Sequence, residues 1–210
     1  MKTRSELVTE FRDWTDQPNT AIISSTMANR EINRAYKQLA AMIASWNDRY
    51  YLTTSTITTT VSIQYVAVPS DCVMVKRLID SDKYELKHVD IEQFDLSLAN
   101  GEPVRWDKTG QYIRFNPIPD ASTYTYTIYY TKSPAELSTD ASAPDFVPGQ
   151  EGIIALKAAL NSKMIRDEDT RAMAQLTYAE DLKSLRHAVI TSHTGGGHRV
   201  IDSDYNQTIG

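Results

Sequence analysis

The stretch from Tyr112 to Leu160 changes its side-chain period more than once, and it limits the folds open to the chain more than any other segment. It reads as a strand, a Pro-broken turn, a Tyr/Thr strand, an acidic loop punctuated by prolines, and the opening of a helix. In the run 123–131, Tyr124, Tyr126, Ile128 and Tyr130 share one face while Thr123, Thr125, Thr127 and Thr131 take the other, because strand side chains alternate. That pattern predicts a half-buried antiparallel strand. The segment from Ser133 to Gln150 then carries three of the eight prolines together with Ser, Thr, Asp and Gly, so it predicts an irregular crossing loop. Loops of that length are uncommon without a purpose.

Helical periodicity flanks this region on both sides. Thr3 with Glu6 forms the signature of a capping box, and Leu7, Phe11 and Trp14 fall on one face of a first helix, 3–16, that Pro18 and Asn19 end. A second helix, from about Thr26, aligns Ile32, Ala35, Tyr36, Leu39, Ile43 and Trp46 on a single stripe, with Trp46 closing it in the core and Asn33 and Arg34 forming a polar edge beside it. After the crossing loop the period resumes at Ile153, Leu156, Leu160 and Met164 and breaks at Arg166–Asp169. It returns at Met173, Leu176, Ala179, Leu182, Leu185 and Val189, which predicts a helical hairpin. Acids at the break suit the positive end of the second helix's dipole.

Between the helical parts, Leu52 to Val68 has a period of two, with Ile57, Thr59, Val61, Ile63, Tyr65 and Ala67 on one face. Further strands are expected near Val73–Ile79, Tyr84–His88, Val104–Asp107 and Gln111–Asn116, with a short helix capped by Asp90 between them. The predicted fold is α+β: a helical body (N-terminal helices plus C-terminal helical hairpin), an inserted antiparallel β-sheet unit of about six strands and a flexible C-terminal tail. In residues, 1–50 are N-terminal helices, 51–133 the β insertion, 134–191 the crossing loop and hairpin completing the body, and 192–210 the tail. Three consecutive glycines, Gly195 to Gly197, exclude a stable helix in that tail, while Val200, Ile201, Tyr205 and Ile209 give it apolar points for docking on a partner.

Charge and composition exclude several functions. The 210-residue chain is 41% hydrophobic and 23% charged, as a folded domain is, and its apolar runs fall short of the roughly 20 residues of a membrane helix. Net charge is -5 and no Lys/Arg cluster stands out, so tight nucleic-acid binding is not expected. An acidic wall can still line a passage along which DNA slides without specific binding. Cys72 is the single cysteine, which leaves no internal disulfide and predicts a buried small residue. His193 and His198 with Asp202 and Asp204 have no fixed ligand spacing, and the glycines lack the strand, the Lys-Ser/Thr and the helix of a phosphate loop. Glu85, Asp90, Glu92 and Asp95 form the densest acidic group of the β region, but read as turn and cap residues rather than a paired-carboxylate site. No metal, no cofactor and no catalytic residue is predicted.

The order of elements from Tyr112 to Leu160, together with Asn33-Arg34-Ala35-Tyr36 and Arg166-Asp167-Glu168-Asp169, resembles the head-to-tail adaptor (connector) proteins of tailed bacteriophages. The resemblance covers nearly all of the chain up to about Val189. It implies a structural virion protein of the head-tail neck, made in the host cytoplasm, that forms a dodecameric homo-oligomeric ring under the portal protein. Such a ring extends the DNA channel and offers a platform to tail or nozzle proteins. A different reading of the residues alone is a carbohydrate-binding β module with helical flanks, acting in adhesion through aromatics at Tyr50-Tyr51 and Tyr124–Tyr130. Helical periodicity at both ends disfavours it, since a lectin sandwich is mostly strands.

Overall fold

The computed structural model of the chain describes residues 1–17, 22–94 and 100–192. Helix α1 spans Arg4–Thr15 and opens on the expected capping box, with the Thr3 hydroxyl accepting from the Glu6 amide while the Glu6 carboxylate accepts from the Thr3 amide at 2.6 Å. Leu7 and Phe11 are its buried face. Helix α2 spans Ser25–Trp46, capped by the Ser24 hydroxyl, and buries Ile32, Ala35, Tyr36, Leu39 and Ile43 along the predicted stripe. Trp46 departs from that expectation. It stands in the last turn, where Asn47 ends the helix in extended backbone, and the ring is only half-buried against the core.

Helices α3 (Gly152–Ser162) and α4 (Glu168–Ser192) follow the crossing loop. The break between them, 163–167, starts earlier than the expected 166–169, because Lys163 in left-handed backbone ends α3 and leaves Met164 outside it, while Glu168 and Asp169 already belong to α4. Asp167 accepts from the Thr170 amide and hydroxyl, each at 2.7 Å, and so caps α4. Its burial pattern corrects the sequence reading. The inward residues are Ala174, Leu185 and Val189, with Tyr178, Leu182 and Ala188 half-buried, whereas Met173 and Leu176 are 66% and 68% exposed. Leu182, Leu185 and Val189 face inward as expected, but in the first turns Ala174 and Tyr178 take the inward positions and leave these two large side chains outside.

Among the described residues seven strands form two sheets. The first has three strands in the order β1 (Leu52–Thr58), β7 (Thr125–Lys132), β3 (Cys72–Ile79), all antiparallel. Tyr126, Ile128 and Tyr130 of β7 are buried as predicted. The second has the order β2 (Tyr65–Ala67), β6 (Tyr112–Asn116), β5 (Arg105–Thr109), β4 (Lys87–His88), and its β4–β5 pair is parallel, so the unit is mixed rather than wholly antiparallel. Gly110, at φ +61°, makes the tight turn between β5 and β6. The long period-two run from Leu52 also divides. Ser62 adopts φ 63° and donates to the Pro119 carbonyl at 2.8 Å, folding the chain back between Thr60 and Ile63. Ile57 and Thr59 therefore face the core, while Val61, Ile63 and Tyr65 are 47%, 40% and 52% exposed.

Buried apolar side chains fall into two clusters. One joins α1, α2, α3 and α4 with Tyr51, Leu137, Phe146 and Val147. The other lies between the sheets around Leu78, Trp106, Ile113, Phe115, Tyr126 and Ile128, with Phe115 and Tyr126 stacked at 5.2 Å between centroids. The crossing loop between β7 and α3 belongs to the first cluster.

These packing differences predict different costs of truncation. Phe115→Ala, which empties a fully buried site, is expected to cost about 3–5 kcal/mol, whereas Trp46→Ala is expected to cost about 1–2 kcal/mol, both read from urea unfolding. A second prediction concerns acid. Hydrogen bonds from the Thr3 amide and hydroxyl hold Glu6 below the usual carboxylate range, and those from the Thr170 hydroxyl and amide do the same for Asp167. Because both folded-state values are depressed, the stability they confer is complete above the unfolded value, near pH 4, and is lost as pH falls through the folded one. Melting temperature against pH should therefore fall less steeply below about pH 4 in Glu6→Gln and Asp167→Asn than in the parent.

Candidate interaction surfaces

The crossing loop 133–150 is fixed by groups from every neighbouring element. From α2, the Asn33 side chain accepts from the Leu137 amide at 2.8 Å and donates to the Leu137 carbonyl at 3.3 Å. The Tyr36 hydroxyl accepts from the Asp145 amide at 2.8 Å, and the Tyr51 hydroxyl donates to the Asp145 carbonyl at 3.1 Å. Burial pushes the Tyr36 phenol up to about 12 and the Tyr51 phenol higher, so both stay protonated and available for these bonds. From α1, the Arg4 guanidinium donates to the Leu137 and Ser138 carbonyls, both at 2.9 Å, and pairs with Asp140 at 2.6 Å. The Arg4 and Ser5 amides, orphans of the first helical turn, donate to Ser142 and Asp140 carbonyls. Lys132 at the end of β7 pairs with Asp145 at 2.9 Å. The residues Asn33-Arg34-Ala35-Tyr36 thus work together: Asn33 and Tyr36 hold the loop, Ala35 packs in the core and Arg34 points outward.

The outer face of the four-stranded sheet carries a second surface. Tyr65 and Tyr112, about half-exposed, meet edge to face at 5.4 Å and 74°. Arg114 lies opposite both Tyr65 and Asp107 in the strand register. A perpendicular pair offers no flat platform for a sugar ring. The aromatics on which the carbohydrate reading rested are largely spent inside, since Tyr51, Tyr126 and Tyr130 are buried and Tyr50 and Tyr124 half-buried. Tyr65 and Tyr112 escaped the sequence reading because a period-two run implies an inward face for Tyr65.

The polar candidates do not converge. Asp90 accepts from the Glu92 amide at 3.2 Å, a cap on the single 3-10 turn Ile91–Gln93. Glu85 borders a separate depression with Asp80, Asp82 and Glu102, and Asp95 lies outside the described residues. His88 is exposed beside the Trp106 ring, 3.6 Å from Asp107. Cys72 is buried, and burial raises its thiol pKa, which leaves little thiolate. Among the described residues no group of His, Cys, Asp or Glu is arranged to hold a metal, and no helix is long and apolar enough to cross a membrane. The tail residues Val200, Ile201, Tyr205 and Ile209, with His193, His198, Asp202 and Asp204, lie outside the described residues.

Of the side chains singled out by the motifs, Asn33, Tyr36 and Asp167 are occupied with backbone, while Arg34 and Asp169 are exposed. The chain matches the family described as SU10 adaptor protein over residues 2–200. It belongs to that family. No curated protein matches it. The family is a structural adaptor family rather than an enzyme class, in line with the head-to-tail adaptor resemblance, and its match reaches past Val189 into the tail.

The adaptor's loop clamp gives a direct test. Asn33→Ala removes the acceptor of the Leu137 amide and one of the two donors to its carbonyl, which keeps Arg4, and is expected to cost about 1–3 kcal/mol. Hydrogen exchange should show the loss concentrated in residues 134–146, with the β strands little changed.

Proposed function

We propose that this adaptor forms a ring of twelve copies under the portal, extends the channel through which DNA passes, and presents a platform to tail or nozzle proteins in the virion neck. Family membership over residues 2–200 carries the reading. The arrangement of the chain supports it: a helical body and a β unit each with its own core, joined where the Thr131 hydroxyl donates to the Asp48 carbonyl at 3.1 Å and Lys76 pairs with Asp48 at 2.7 Å. In this reading the helical body builds the ring wall, the β unit and crossing loop meet neighbours or tail proteins, and the acidic balance keeps DNA from adhering. Subunits are made in the host cytoplasm and assemble on the portal. Val200, Ile201, Tyr205 and Ile209 supply the docking contacts of the tail, with backbone hydrogen bonds to a strand edge of the portal or a neighbour supplying the rest of the cost of ordering.

Mixing purified adaptor with purified portal rings tests this. Light scattering should show a single-subunit mass for the adaptor alone at micromolar concentration and a complex that gains a full ring of adaptor on each portal. Failure to bind portal rings of its own virus would overturn the proposal. Removing residues 193–210 should leave the melting temperature nearly unchanged and weaken portal binding, while Glu92→Gln and His88→Ala should leave assembly as it was.

A further inference from the structure

We infer that α4 of one adaptor subunit docks on α2 of the next, and that this contact between copies forms the side-to-side joint of the ring. The inference rests on the ring reading above and names the two faces that would meet in it. Asp169, Met173, Leu176 and Glu180 follow one another at the four- and three-residue steps that place side chains on a single face of a helix. All four are exposed, and Met173 and Leu176 are 66% and 68% accessible. The buried face of α4, through Ala174, Leu185 and Val189, is a different one. Two large apolar side chains are thus displayed between two carboxylates.

The exposed edge of α2 has the complementary composition. Arg30, Arg34 and Lys37 repeat at the same steps, and the arginine side chains are 71% and 62% accessible. Both guanidiniums face one carboxylate, Glu31, at 3.3 and 3.9 Å, and Lys37 pairs with Glu136 at 2.5 Å, so three cations meet two acids. Glu31 is itself buried, and its second oxygen accepts no hydrogen bond, so it anchors the arginine stems along the helix without covering their outer faces. The stems line a depression of about 600 Å³ with Asn33, Gln38 and Glu136. Aliphatic stems with cationic heads are the surface on which apolar side chains flanked by carboxylates fit. Asp169 and Glu180 stand about 16 Å apart along α4 and Arg30 and Lys37 about 10 Å apart along α2, so the acids overreach the cations by about 3 Å at each end, a gap long side chains span, while Met173 and Leu176 lie over the stems.

The occupant is a second copy because both halves of the match lie on this one chain. Among the described residues no hydrogen bond or ion pair joins the two faces within a subunit. Two unlike, mutually complementary patches on one chain are what a head-to-tail contact needs if its rotation is to close into a ring.

Charge reversal tests this on portal rings, with full-length protein. Asp169→Lys with Glu180→Lys leaves two basic faces on every subunit, and Arg30→Glu with Arg34→Glu leaves two acidic ones. Each double variant is expected to weaken ring completion roughly tenfold or more. An equimolar mixture of the two should restore it, because basic α4 then meets acidic α2 and acidic α4 meets basic α2 around an alternating ring. Circular dichroism and melting temperature establish that each variant folds. A second arm pairs cysteines, Arg34→Cys with Leu176→Cys in a Cys72→Ala background, and oxidation should then give a ladder of covalent oligomers. Parent rings that form normally while the mixture fails to recover and the cysteine pair gives no ladder would overturn the α2–α4 joint and leave the ring standing. Parent protein that forms no ring on the portal would instead overturn the ring reading, and this joint with it.

Discussion

The fold depends on how the backbone of the crossing loop is held. A segment of that length, broken by prolines, forms no ladder of its own, and backbone groups buried without partners would cost more than its few apolar residues return. The chain answers with side chains placed in advance on α1, α2 and the start of the β unit. Asn33 takes both backbone groups of Leu137, two buried phenols take those of Asp145, and Arg4 collects the carbonyls of Leu137 and Ser138. With the backbone satisfied, Leu137, Phe146 and Val147 can enter the helical core. The loop also supplies acceptors for the orphan amides of α1, so the N-terminal helix and the segment before α3 stabilise each other.

That exchange explains why a four-residue motif inside a helix carries information about a loop a hundred residues away. Asn33, Ala35 and Tyr36 point to different surroundings, and each position has a separate requirement: a two-way amide, a methyl-sized core residue and a hydroxyl at the end of a rigid ring. In sequence, Asn33 reads only as a polar neighbour of an apolar stripe. Its partner is the backbone of Leu137, and backbone partners leave no trace in residue identity.

Other parts of the fold were legible for physical reasons that can be named. The capping box at Thr3 and Glu6, the alternation of β7 and the acidic break before α4 are local, and neighbouring residues settle them. The run from Thr59 to Ala67 was not legible, because a period of two fixes which residues share a face only while the strand continues. Ser62 interrupts it through a bond to Pro119, a contact across the chain. On α4 the expected stripe holds at Leu182, Leu185 and Val189 but not in the first turns. Met173 and Leu176 fit a core stripe as well as Ala174 and Tyr178 do, and hydrophobicity cannot say whether burial comes from the same chain or from another one. The docking residues of the tail rest on composition alone, and they lie outside the described residues.

The same ambiguity bears on how the proposed ring is kept from closing before subunits meet a template. A face of two apolar side chains framed by carboxylates is small beside the roughly 800 Å² per partner that a stable contact buries. Its ionic components are exposed and weak at physiological salt. On the proposed reading, two such faces alone hold free subunits together poorly. In the proposed ring a template changes the balance, because each docked subunit raises the local concentration of its neighbours' faces and avidity accumulates without any new interaction. Making the α4 face wholly apolar would strengthen each joint and remove that dependence. In the proposed joint the carboxylates at Asp169 and Glu180 thus have two roles: they direct α4 toward the cationic edge of α2, and they keep a single contact weak in the absence of a template.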